Sequence, residues 1–513
     1  MLRQVVILAL LLLFGIAPLS AQSSAQDWRK AKRKINKVLD YLKDNYVDEV
    51  PLDKVVESAL SATLDELDPH TRYLPRKEME QMYERLRSQF AGIGTSYILY
   101  HDTLIVRRVV SGSPAARHGL LYNDRIIGID SRSIRDIAPD SIRDLLRGRS
   151  GTTVTLDIER RSDSTHRSIT IEREVIESPS ISIATILKDS IAYIGIESFA
   201  RTTGQEVRRA LATLEGYNSL ILDLRGNAGG VLTSVVDICG LFLDKGDIIV
   251  STEGRCEREH YHRASRRGEY TDLPLVVLID EQSASASEIL AGAIQDHDRG
   301  VIIGRTSYGK GLVQRLINLG DGDGMTVTRA RYKTPSGRII QRPYSVGNRS
   351  DYINDRSRYN HPDLIAHDTT MVYRTLRQGR KVYGGGGITP DIYVAAKVGD
   401  ANSYIGYALR NNVITEVTVE LFDRISCNDF YSAYPTPRSY ADGFMLDSIS
   451  QSVIKRLIPD SLATPEEKLI LHEMIRSAMA KDLYNEEAYL ALSMRFDDVL
   501  MRAIEYLTSN STE

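Results

Sequence analysis

Three serines and one lysine carry the most specific chemistry available to this chain. The run Ser283-Ala284-Ser285-Ala286-Ser287-Glu288 is followed, one strand and one turn later, by Tyr308-Gly309-Lys310-Gly311-Leu312-Val313-Gln314. A serine hydroxyl is a poor nucleophile until a nearby base takes its proton. A lysine can be that base only when neutral, which requires burial or a cationic neighbour. A serine at the first turn of a helix also meets free backbone N–H groups and the positive dipole end, which favour a developing oxyanion. The same residues have a purely structural use. Ser285-x-x-Glu288 fits a helix capping box, and a lone loop lysine is commonly just solvated.

The surrounding pattern sets out the elements that would position these groups. Leu275 to Ile279 is a short apolar run after Pro274 and reads as a buried strand. Asp280-Glu281-Gln282 is a turn, and Ile289, Leu290, Ala293 and Ile294 recur at helical spacing. Gly300 to Gly304 reads as the next strand, and Thr306 to Gly311 as a glycine-flanked turn carrying Lys310. Upstream, Gly229 and Gly230 lie between the apolar strand Leu220-Ile221-Leu222 and a helical stretch from Val231. Glycines there let backbone donors approach a ligand, or simply turn the chain from strand to helix. Strands at Ile191–Ile196, Ser219–Leu224, Ile248–Val250, Leu275–Ile279 and Val301–Gly304 alternate with helical stretches. That alternation predicts an α/β sheet with crossover helices.

The stretch from Leu275 to Gln314 resembles the C-terminal processing peptidases, also called tail-specific proteases. Further matches lie at Asp223-Leu224-Arg225-Gly226-Asn227-Ala228-Gly229-Gly230, at Tyr332-Lys333-Thr334-Pro335-Ser336-Gly337-Arg338 and at Gly385-Gly386-Gly387-Ile388-Thr389-Pro390-Asp391. Leu67-Asp68-Pro69-His70-Thr71-Arg72-Tyr73 matches the family's N-terminal segment. The resemblance runs roughly from residue 30 to 395. It implies Ser285 as nucleophile, Lys310 as general base and Gln314, one helical turn or a short loop beyond, as the residue that orients the lysine. It implies an oxyanion hole from the backbone N–H groups of Gly229, Gly230 and Ala286, and the crotonase/Clp-protease fold for the catalytic core. The segment from Phe90 to Glu174 resembles a PDZ domain. Phe90-Ala91-Gly92-Ile93-Gly94 stands where such domains carry the loop for a peptide's terminal carboxylate, a strand-addition mode of capture.

The implied organisation is multidomain α/β. Residues 1–21 read as a signal peptide, 22–88 as an N-terminal helical segment and 89–175 as the PDZ domain. Residues 176–395 read as the serine peptidase domain, and 396–513 as a C-terminal helical domain. Arg3, the apolar run Val5 to Phe14 and the small-residue exit Pro18-Leu19-Ser20-Ala21 carry the signal-peptide reading. Export into a periplasm follows from it, or membrane association if that segment stays uncleaved. In the family the N-terminal helices pack against the catalytic domain. The polar stretch Tyr344 to Arg380 departs from the shortest family pattern and reads as a surface insertion near the substrate path.

Other chemistries fit less well. There is no Gly-x-Ser-x-Gly elbow, no His-Glu-x-x-His pair, no P-loop and no dinucleotide fingerprint. Cys256, His260 and His262 match no zinc-ligand spacing, so no metal and no cofactor is expected. Three cysteines are too few for a disulfide scaffold, and a net charge of -3 argues against general nucleic-acid binding. The expected partners are proteins or peptides with apolar C-termini, and an adaptor protein and a homodimer are left open. The rival reading is a catalytically silent, PDZ-bearing peptide-binding or scaffold protein.

Overall fold

The computed structural model describes residues 25–161, 164–355, 371–395, 403–458 and 463–510. The signal-peptide reading at residues 1–21 lies outside them. The chain divides into two units, Met1–Glu66 and Leu67–Glu513. The first unit contains the helices Ala25–Asn45 and Leu52–Asp65. On the first of these helices Ile35 and Val38 are more than half accessible. Among the described residues no helix is long and apolar enough to cross a membrane.

The second unit is built around a six-stranded sheet. Its spatial order is Ile181–Ile186, Ile191–Ile196, Ser219–Asp223, Leu275–Ile279, Val301–Gly304 and Ile392–Tyr393. The first pair is antiparallel and the remaining pairs are parallel. Parallel strands need covering on both faces, which is why these segments read as unbroken apolar runs. Leu220, Leu222 and Val277 face a core shared with the helices Thr203–Thr213, Leu232–Cys239 and Ala286–Asp296. Ile221, Val276 and Leu278 point the other way, onto Val499, Leu500, Ala503 and Leu507 of the helix Asp498–Asn510. The last helix of the chain thus completes the α/β sandwich.

A second sheet shares the core of Leu220, Leu222 and Val277 through Ile249, Val250 and Tyr332. Arg72–Leu74 pairs with Asp323–Lys333, which also pairs with Ile248–Gly254 and with Leu312–Gly320. The helix Arg76–Arg87 follows the first of these strands and leads into the small β domain. There Thr95–Tyr100, Thr103–Val109, Arg125–Ile129, Thr153–Arg160 and Thr165–Glu172 form an antiparallel sheet in that order. Strict alternation along Thr153–Arg160 sends Val154, Leu156 and Ile158 inward, against Ile142 and Leu146 of the helix Pro139–Leu146.

The tract expected as one C-terminal helical domain divides its helices between two cores. Those from Tyr404 to Ser493 share a core that also takes in Tyr122 of the small β domain. Arg107–Asp482 at 2.5 Å and Arg125–Asp423 at 2.6 Å fasten the two together. Part of the expected insertion, residues 356–370, lies outside the described residues. The described part is not simply surface, because Tyr352 in the helix Arg349–Asn354 is buried.

Candidate active site

The strand Leu275–Ile279 ends at Asp280, whose Oδ1 accepts N–H groups from Gln282, Ser283 and Gly226. That turn delivers the serine run to the start of the helix Ala286–Asp296. The three serines separate here. Ser283 and Ser287 are fully buried, and each spends its hydroxyl on a backbone carbonyl, of Leu224 and of Asn227, at 2.8 Å. Ser285 is only partly buried and holds φ 56°, ψ -110°, a conformation strained for any residue with a Cβ. Such strain persists only where the surroundings over-determine it, and it clusters at functional sites.

Those surroundings are two buried side chains. The Glu288 carboxylate accepts the Ser285 N–H and the Lys310 N–H on Oε2, each at 2.8 Å. Its Oε1 accepts the Gly309 N–H and the Ser307 hydroxyl, each at 2.6 Å. Four donors suit an ionised carboxylate, while complete burial pushes its pKa up. From the other side, the Tyr332 hydroxyl lies 2.7 Å from the Lys310 carbonyl and 3.2 Å from the Ser285 carbonyl. The serine and lysine backbones are therefore held together through both their N–H and their C=O groups. In the sequence Glu288 stands only as half of a capping box and Tyr332 only as part of a motif. The capping bond exists, but the same carboxylate also holds the lysine turn.

The Lys310 side chain is partly buried, and desolvation pulls its pKa below the ordinary lysine value. Glu288 and Asp68 oppose that shift, and Arg72 assists it. Lys310 Nζ donates to Gln314 Oε1 at 2.9 Å. Gln314 does not lie on a helical turn or in a loop, as expected, but in the strand Leu312–Gly320. A register shift between Val313 and Gln314 interrupts its pairing with Asp323–Lys333, an irregularity of the kind that re-aims a side chain.

The glycine turn closes against the serine. A Cβ on Gly229 would stand 2.7 Å from Ser285 Cβ and 2.8 Å from the Ala286 nitrogen, and one on Gly230 would meet the Phe199 carbonyl at 2.0 Å. Both positions are in the positive-φ region, so glycine is required on two counts. One expectation is corrected here. The Gly229 N–H is not presented as an oxyanion donor, because it is bonded to Asn227 Oδ1 at 2.8 Å. The N–H groups of Gly230 and Ala286 have no protein acceptor among the described residues. Beside this turn, Arg225 bonds both Asp223 and Asp497, joining the glycine loop to the segment before the last helix.

In the small β domain the expected carboxylate loop is shorter than Phe90 to Gly94. Gln89–Gly92 is a strand paired with Glu174–Glu177, and the Phe90 ring lies under the Arg147 guanidinium at 4.4 Å. Only Ile93 and Gly94 remain as loop, with their carbonyls bonded to Ala115 and Val110 and their N–H groups without a protein acceptor among the described residues. The next strand, Thr95–Tyr100, is at the sheet edge, and its Tyr97 joins the core that holds Ile142 and Leu146. An extended peptide could pair there. Among the described residues no group of three His, Cys, Asp or Glu side chains is placed to hold a metal.

Fold and site together define a serine-type peptidase core bearing a PDZ domain, and comparison with known proteins agrees. Residues 190–352 match the model of peptidase family S41, and residues 105–160 that of the PDZ domain. A carboxy-terminal-processing protease of Bartonella bacilliformis is 32% identical over 326 residues, 62% of this chain and 74% of that protein. The carboxy-terminal processing protease CtpA of Bacillus subtilis is 30% identical over 336 residues, 65% of this chain and 71% of that protein. A solved photosystem II D1 C-terminal processing protease aligns with a TM-score of 0.38 at 23% identity, over 72% of this chain and 92% of that one. The chain belongs to the carboxy-terminal-processing proteases of peptidase family S41.

Proposed function

We propose that this protease is exported and cleaves proteins near their C-termini, with Ser285 as nucleophile and Lys310 as base. The observation that carries the reading is the partly buried Lys310 amine bonded to Gln314, on a backbone that one carboxylate ties to the strained Ser285. A neutral Nζ takes the Ser285 Oγ proton as Oγ attacks the scissile carbonyl carbon. The resulting oxyanion accepts from the Gly230 and Ala286 N–H groups. Collapse expels the amine, which takes the proton from Nζ, and leaves an ester on Oγ. Water, deprotonated by Nζ, hydrolyses that ester and restores the serine. The PDZ groove takes the substrate's free C-terminus as an added strand, with its carboxylate on the Ile93 and Gly94 N–H groups.

An active-site-directed probe for serine hydrolases tests the reading. Labelling at Ser285, abolished in Ser285→Ala and in Lys310→Arg, is the expected result. Labelling of Ser283 or Ser287, or full peptide cleavage by Ser285→Ala, would overturn it. No labelling and no cleavage by the wild-type chain would instead favour the catalytically silent scaffold.

A further inference from the structure

The segment Asp68–Thr71 lies more than two hundred residues before Gln314 in the chain, yet it holds the amide of that glutamine. The Gln314 Nε2 donates to the His70 carbonyl, and Thr326 Oγ1 donates to the same carbonyl at 2.8 Å. That carbonyl is presented by a compact knot. Asp68 Oδ1 accepts the His70 N–H at 2.9 Å, the Thr71 N–H at 3.1 Å and the Thr328 hydroxyl at 3.0 Å. Asp68 Oδ2 accepts the Thr71 hydroxyl at 2.6 Å. Thr71 Oγ1 in turn accepts the Thr328 N–H at 3.1 Å, which fastens the knot to the strand paired with the one carrying Gln314.

A glutamine amide can turn over, exchanging oxygen for nitrogen, and only its partners decide which way it faces. Here one partner is a carbonyl, which can only accept, and the other is the lysine amine. With Nε2 on the His70 carbonyl, Oε1 must face Lys310 Nζ. Turned over, the amide would set oxygen against oxygen and offer an N–H to the lysine lone pair, which the serine proton needs.

We propose that Asp68 is a positioning residue for the base: by fixing the His70 carbonyl it fixes the Gln314 amide, and through it the rotation of the Lys310 amine. This rests on the reading of Lys310 as base. The hydrogen-bond partners of Asp68 are His70, Thr71 and Thr328, and neither Ser285 nor Lys310 is among them. Because the knot precedes the helix Arg76–Arg87, which salt-bridges the PDZ helix through Lys77–Asp144, the same segment links the base to the PDZ domain.

The test is a double-mutant cycle on the full chain, with kcat and KM for one fluorogenic peptide and a melting curve for each variant. Asp68→Ala and Gln314→Ala should each lower kcat by about tenfold, one hydrogen bond's worth, with KM changed by less than about twofold. In the double variant the losses should not multiply, because both remove the same orientation. Multiplying losses, or a raised KM at unchanged kcat, would show that Asp68 merely supports the fold and would overturn the proposal. Thr326→Val, which removes the other anchor of the same carbonyl, carries the identical expectation if Asp68→Ala does not fold. Turnover by Lys310→Ala would sink the base reading itself. A dead Lys310→Ala with multiplying losses in the cycle would sink only the role of Asp68.

Discussion

Glu288→Gln changes one atom at the centre of the site and tests whether the carboxylate tie is what brings serine and lysine together. Each carboxylate oxygen takes two donors, so the amide must turn an NH2 group toward one pair. The Oε1 side is the better choice, because the Ser307 hydroxyl can rotate and accept. Ser307 Oγ already accepts the Ile388 N–H at 2.6 Å, so its own proton then loses its acceptor. The Gly309 N–H would be left facing another donor. Two bonds to a charged acceptor are lost, at about 1.5 kcal/mol each. Relief of a buried charge returns part, leaving about 2 kcal/mol, or a melting temperature lower by about 4–8 °C for a domain of this size. The Gly309–Lys310 turn shifts with the lost bond. A small misplacement of a base is enough to lower kcat by about tenfold or more, with KM little changed. Differential scanning fluorimetry and peptide cleavage, run on the same preparations, measure both. Wild-type melting and wild-type kcat together would refute the reasoning, and so would a lowered melting temperature with kcat intact.

The pH dependence follows from Lys310. Its amine acts when neutral and its pKa lies below the ordinary lysine value, so kcat should rise with pH along a limb below that value. A lysine whose folded pKa is depressed destabilises the fold while charged, and the penalty is relieved as pH rises through the folded pKa. Lys310→Met should therefore be inactive yet melt above the wild type near neutral pH, with the gap narrowing at higher pH; a wild-type profile flat across this range would refute the role. For the PDZ groove, calorimetry on Ser285→Ala should show an apolar-ended peptide binding more tightly as the free acid than as the C-terminal amide, and equal affinities would remove tail recognition. Away from the site, Asp296 and Arg338 form a fully buried ion pair at 2.7 Å. Asp296→Ala should destabilise by about 3–5 kcal/mol in a denaturation experiment, whereas Asp296→Leu with Arg338→Met should recover much of the loss.

The sequence was most legible where local chemistry and periodicity coincide. Leu275–Ile279 and Ser219–Asp223 are apolar without interruption because both faces of a parallel sheet are covered, and the strands fall where that pattern placed them. The alternation Val154-Thr155-Leu156-Asp157-Ile158 is likewise that of a strand with one buried face, and it falls within the strand Thr153–Arg160. Other features depended on residues far apart in the chain. Ser285-x-x-Glu288 has the spacing of a cap, and nothing local says that the same carboxylate will also meet Gly309 and Lys310. Gln314 follows Lys310 at a spacing that a helix would also satisfy, but pairing with Asp323–Lys333 makes the segment a strand. Phe90 and Ala91 read as part of a glycine loop until Glu174–Glu177 returns to pair with them. The final helix lies in a tract that reads only as helical, and the sheet face carrying Ile221, Val276 and Leu278 decides what it covers. Sequence alone determined the residue types and the elements that carry them, because those depend on neighbours within a turn or a strand. Tertiary structure decided which N–H groups are already bonded, which carbonyl steers the lysine and which serine stays accessible, because each depends on a partner that only the folded chain brings within hydrogen-bond distance.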